Sequence, residues 1–131
     1  MTLMRELTPA DLLAGARELI NRPDAAAAGV WPRTAATLAR QALEAAVDAR
    51  WLASPQTAAM TRATMRSQLT CLPTYVDEQV ARQVAFAYAA LTAACHYHPY
   101  ELAPTAAELT GWIADVEALV AQLSQAAPPT A

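Results

Sequence analysis

Apolar side chains recur every three or four positions along this chain, and prolines preceded by capping residues cut that pattern into segments. The period is clearest near the C-terminus. There Leu109, Trp112, Ile113, Val116, Leu119, Val120 and Leu123 share one face of a helix with 3.6 residues per turn. Strand-like alternation never lasts more than a few residues, so the pattern selects helices. Composition agrees: roughly a quarter of the residues are alanine, the strongest helix former, and only three are glycine. Hydrophobic residues make up 55% of the 131 and charged ones 16%, which excludes a disordered chain. A chain of this length buries one core. The expectation is a single all-α domain spanning residues 1–131.

The punctuation places the helices. Thr8-Pro9 supplies an N-cap and a proline at the first helical position, with Asp11 in the first turn. This short helix carries Leu12, Leu13, Ala16, Leu19 and Ile20 and stops near Asn21, before Pro23. Trp31-Pro32 opens a second helix to about Ala53. One apolar row on it contains Leu38, Ala42, Ala45, Ala49 and Leu52, and a neighbouring row contains Leu43, Val47 and Trp51. Ser54-Pro55 repeats the cap-and-proline signal and predicts a third helix to about Leu72. Thr74 and Asp77 stand at capping-box spacing for a fourth helix over 74–97. Its stripe is Val76, Val80, Val84, Ala87, Leu91 and Cys95, and at 1.5 Å per residue it would be about 36 Å long. Pro99 stops it near His98. Thr105 and Glu108 cap the fifth. The tail 126–131, with two prolines, is expected to fray. Short connections favour antiparallel neighbours, hence an up-and-down bundle of four main helices with a shorter N-terminal helix alongside.

The net charge is −3, and all nine basic residues are arginine. Residues 1–82 are nearly balanced, whereas residues 83–131 carry four acids and no base. A protein that grips a duplex mainly by charge would show the opposite excess. The N-terminus has no basic region followed by an apolar run, and no segment is apolar for long enough to cross a bilayer. The expectation is a cytoplasmic protein. Cys71 and Cys95 lack CxxC spacing and are expected to be reduced and partly buried.

One cluster stands out for chemistry: His96, Tyr97, His98, Tyr100 and Glu101, at the break after the long helix. It contains both histidines. As a metal site it is poorly spaced, because helical residues two apart point about 200° away from each other, so no metal or cofactor is expected. The plainer role is termination, a histidine bonding to the last carbonyls of a helix. Arg62 and Arg66, four apart, share one face of the expected third helix in a stretch without acids. They are candidates for holding a phosphate or an acidic partner, or for pairing with Asp115 or Glu117. Arg40, Glu44 and Asp48 line one face of the second helix, where paired carboxylates can serve acid/base chemistry or simply face solvent. No nucleophile elbow or glycine-rich phosphate loop is present.

Two segments, LARQALEAAVDARW from Leu38 to Trp51 and CHYHPYELAPTAAELTGW from Cys95 to Trp112, resemble HEPN-type helical domains of bacteria. The likeness is to short, stand-alone actinobacterial members and covers roughly helices two to five. It implies a four-to-five-helix bundle that commonly dimerises. Many members are metal-independent ribonucleases of toxin–antitoxin and phage-defence systems; others bind nucleotides or partner proteins. The ribonucleases use an Arg followed four to six residues later by His. No Arg stands at that spacing before His96 or His98, the nearest being Arg82, so the catalytic motif does not carry over. The resemblance thus implies a homodimeric, non-catalytic module that binds a partner protein, a nucleotide or RNA. A ribonuclease with a divergent site and a helical adaptor without nucleic acid are the alternatives. The two apolar rows of helix two argue for a homodimer as well, since they exceed what one core needs.

Overall fold

The computed structural model describes residues 7–22, 31–97 and 100–125. Five α-helices account for most of them: α1 Pro9–Asn21, α2 Trp31–Leu52, α3 Met65–Cys71, α4 Glu78–Cys95 and α5 Ala106–Gln125. Among the described residues there is no strand, and no helix is long and apolar enough to cross a membrane. The all-α class is therefore as expected. The expected frayed tail lies outside the described residues.

Local signals account for the helix starts. Thr8 caps α1 by a reciprocal box: its hydroxyl accepts from the Asp11 N–H at 3.1 Å, and Asp11 Oδ2 accepts from the Thr8 N–H at 3.1 Å. Thr105 and Glu108 make the same exchange ahead of α5. At α4 the cap is Asp77 itself, whose carboxylate accepts from the Val80 N–H at 3.4 Å. The expected box beginning at Thr74 is displaced because Leu72–Thr74 form a 3-10 turn. The helix also stops at Cys95 rather than 97, so α4 has 18 residues, about 27 Å of helix rather than 36 Å.

The third helix is not continuous. Ser54 does not cap a backbone N–H; its hydroxyl donates to the Gln56 side chain. A 3-10 turn over Ala58–Arg62 follows, and Thr64 in extended conformation caps the seven-residue α3 through the Ser67 N–H. The break serves the core. Gln68 is buried and accepts from the Trp51 indole N–H at 3.0 Å, while its own amide donates to the Ala63 carbonyl at 2.9 Å. The Thr57 hydroxyl donates to the Trp51 carbonyl at 2.6 Å. A straight helix from Pro55 would leave these buried groups without partners, at about 1–3 kcal/mol each. The short helix of the fold is thus α3. The N-terminal α1 is a full member of the core.

Helix α2 is the central element, packed by α1, α4 and α5. Leu43, Val47 and Trp51 are buried as expected. Of the other row only Ala42 is buried: Ala49 and Leu52 are exposed and Leu38 and Ala45 half-buried, and the alanines buried beside it are Ala35, Ala39 and Ala46. The Leu43, Val47 and Trp51 row and the buried alanines pack inside one chain, while Leu52 of the expected second row stays 62% exposed. On α5, Leu109, Ile113, Val116, Leu119 and Leu123 are fully buried, while Trp112 and Val120 are half-buried at the margin. Cys95 is buried, Cys71 half-buried, and both are free thiols.

Candidate functional site where alpha 4 ends

Two contacts set the register of α2 on α4. The Thr37 hydroxyl lies 3.3 Å from Cys95 Sγ, and Arg33 Nη2 donates to the Tyr97 carbonyl at 2.9 Å. At the other end Arg50 Nη2 donates to the carbonyl of Tyr75, ahead of α4, at 3.1 Å. The helices therefore run antiparallel, and the N-terminal end of α2 meets the turn that carries His96.

In that turn the backbone does the terminating. His96 leaves helical geometry at φ −122° and ψ 24°, and its N–H reaches the Ala93 carbonyl at 3.2 Å. Its imidazole is exposed and makes no hydrogen bond among the described residues. Tyr97 is half-buried, with the Arg33 guanidinium 4.6 Å from its ring centroid. Arg33 thus holds both the carbonyl and the π-face of one residue, a geometry that suits a planar guanidinium. His98 lies outside the described residues. Past it, Glu101 is exposed, and Tyr100 and Leu102 are 98% and 97% exposed. No group of three metal-ligating side chains occurs among the described residues.

Arg62 and Arg66 do not join this turn. They do not share one helix face either: Arg62 closes the 3-10 turn and Arg66 belongs to the first turn of α3. Both are exposed and neither has an ion-pair partner among the described residues. The expected pairing with Glu117 is pre-empted by Arg17, 2.7 Å from Glu117 Oε1. Because Gln68 is bonded to Trp51, α3 sits at the C-terminal end of α2. Roughly 27 Å of helix axis separates Trp51 from Arg33. The two clusters singled out in the sequence occupy opposite ends of the molecule.

The arginine that does arrive is Arg33, which motif spacing missed because it comes from another helix. One signal for it existed. A cation in the first turn of a helix opposes the helix dipole, and Arg33 stands there with no acid beside it, so something else must hold it.

The Arg40, Glu44 and Asp48 face continues from Arg33 and Thr37 along the α4 side of α2, and it is not a solvated face. All three residues are half-buried. Arg40 Nε lies 3.3 Å from Glu44 Oε1, close enough for an ion pair but not aligned as a hydrogen bond. Burial pushes the Asp48 carboxyl above its ordinary value of 3.8. Among the described residues the site therefore presents one guanidinium, one imidazole, the Glu101 carboxylate and exposed aromatic and aliphatic groups. Among them no two titratable groups stand in hydrogen-bond contact for acid/base work. No family model, curated protein or solved structure matches the chain.

Proposed function

We infer that this is a non-catalytic, HEPN-like helical module that binds a partner protein through the turn after α4. The observation that carries the reading is the exposure of Tyr100 and Leu102, nearly complete for both, beside a guanidinium already ordered on Tyr97. Tyrosine and arginine are the side chains that dominate protein interfaces, and an ordered one loses little entropy on docking. The acidic C-terminal third disfavours RNA as the main ligand. From the resemblance comes the setting, a cytoplasmic defence or toxin–antitoxin system, in which such a module engages a cognate protein. A photo-crosslinking residue at position 100, expressed in the native host, tests this. A discrete protein adduct at position 100 and none at Arg62 is expected. Identical labelling at both positions would end the proposal.

A specific observation also supports a second reading, the divergent ribonuclease. Arg33 supplies from α2 a cation that the sequence around His96 lacks, and an Arg–His pair can stabilise charge at a phosphate and move a proton. Metal-free incubation with mixed single-stranded RNAs separates the readings. Cleavage lost in both Arg33→Ala and His96→Ala would establish the ribonuclease, and inactivity of the wild type leaves the binding module.

Self-association, which the resemblance implies, has a surface other than α2. Phe86 is 76% exposed in a groove of about 810 Å³ between α4 and α5, with Arg82 on one wall and Asp115 on the other. Arg82 already pairs with Glu78 at 3.1 Å, so the exposed Phe86 is the anchor that a self-complementary two-fold contact would use. Light scattering at micromolar concentration should give a dimeric mass that Phe86→Glu reduces to a monomer; a monomeric wild type would exclude it.

A further inference from the structure

Among the described residues Arg50 is a buried cation without a counter-ion. It is 7% exposed, its one hydrogen bond goes to a neutral carbonyl, that of Tyr75, and its Nε has no partner. No carboxylate lies within ion-pair distance of it among the described residues. A buried charge left unpaired is strongly unfavourable. Beside it the structure has a cavity of about 440 Å³, a size typical of small-molecule sites.

The walls of that cavity are mostly apolar, with Thr8, Ser124 and Arg50 as the polar members. Ala46, Ala49 and Ala53 of α2, spaced as one helical face, form one side, and Val120 and Leu123 of α5 form the other. The first turn of α1 closes the end. Its capping box already satisfies that turn and brings in the Asp11 carboxylate, so the positive charge at the cavity is that of Arg50. The alanines keep the space open, since a longer side chain at any of the three would fill it.

We propose that this cavity binds a small monocarboxylate with a hydrocarbon body, its head at Arg50 and its body along the alanine wall. A guanidinium gives a carboxylate a charge-assisted hydrogen bond, and the apolar walls shelter a chain that phosphate or sulfate lacks. The site is separate from the turn after α4, so it does not rest on the function inferred there.

Isothermal titration of the full chain with octanoate, octanol and acetate tests this. Octanoate should bind with one-to-one stoichiometry, at least about tenfold more tightly than octanol, which has the body without the charge. Acetate, the head without the body, should give no heat. Arg50→Gln, which keeps a donor for the Tyr75 carbonyl, should erase the preference for octanoate. Ala49→Leu, at an exposed position, should fill the cavity and abolish binding while the melting temperature stays at or above that of the wild type. His96→Ala should bind octanoate as the wild type does. Equal affinity for octanoate and octanol, no binding of octanoate, or binding that survives Ala49→Leu would each overturn the proposal.

Discussion

The two ends of α2 are built from the same parts and put to opposite uses. At each end an arginine of α2 donates to a backbone carbonyl flanking α4, Arg33 to Tyr97 at 2.9 Å and Arg50 to Tyr75 at 3.1 Å. At each end that tyrosine's ring meets a side chain of α2: Tyr97 lies under Arg33, and Tyr75 stands edge-on to Trp51 with centroids 5.4 Å apart. The difference is water. Around Trp51 the 3-10 turns and α3 fold over the end of α2, and Thr57 and Gln68 are buried there against Trp51. Around Arg33 no comparable cover occurs among the described residues, and His96, Tyr100 and Leu102 stay exposed. An identical tether therefore acts as a structural lock where it is dry and as an ordered, accessible surface where it is wet.

The sealed end should yield the largest effects. Trp51→Ala removes a ring with no exposed surface and should lose about 3–5 kcal/mol in chemical denaturation. Trp112→Ala, half-buried at the margin of α5, should lose clearly less; equal losses would mean that burial does not distinguish the two. Next comes Gln68→Leu, which leaves the Trp51 indole N–H buried without an acceptor. It should cost about 1–3 kcal/mol, and a neutral result would show that the end of α2 is wetter than drawn.

Arg33→Ala tests the open end. A cation–π contact at an exposed site is worth about 0.5–1 kcal/mol, so stability should fall by no more than about 1 kcal/mol while crosslinking at position 100 weakens. A loss as large as that of Gln68→Leu would make the two ends alike. The smallest effect belongs to Asp48, between them. Its carboxyl titrates above its ordinary value because burial disfavours the charge. The folded state therefore holds the proton more tightly than the unfolded state, and stability falls as pH rises from 3.8 through the raised value. Asp48→Asn should be slightly more stable than the wild type at neutral pH, with the two curves converging below about pH 3.8. Convergence only at high pH would reverse the sign and disprove the burial of this group.

Two of the five helices, α1 and α5, were legible because local chemistry closes on itself there. The Thr8/Asp11 and Thr105/Glu108 boxes act across three residues, and the α5 stripe repeats without interruption, so neither depends on what lies far away in the chain. The region from Ser54 to Thr74 was misread for the converse reason. Ser54-Pro55 is a sound local start signal, but Trp51 demands an acceptor for its indole N–H, and Gln68 supplies it only if the helix breaks at Ala63 and Thr64. The misread alanine row on α2 has a related cause. Alanine is nearly silent in a hydrophobic pattern, so which alanines face inward is settled by the helices that pack on them.

The candidate site divides along the same line. That α4 ends close before Pro99, and that both histidines stand at that end, follows from the spacing of the residues alone, although the helix stops at Cys95, two residues short of the expected 97. That Arg33 reaches Tyr97, that Arg62 and Arg66 sit at the far end of α2, and that Arg50 is buried without a counter-ion among the described residues follow only from the antiparallel packing of α2 on α4. Capping and helical periodicity act within a turn or two of helix and are written in neighbouring residues. The placement of a charge depends on which distant carbonyl or carboxylate the fold brings within hydrogen-bond reach, and only the packed molecule decides that.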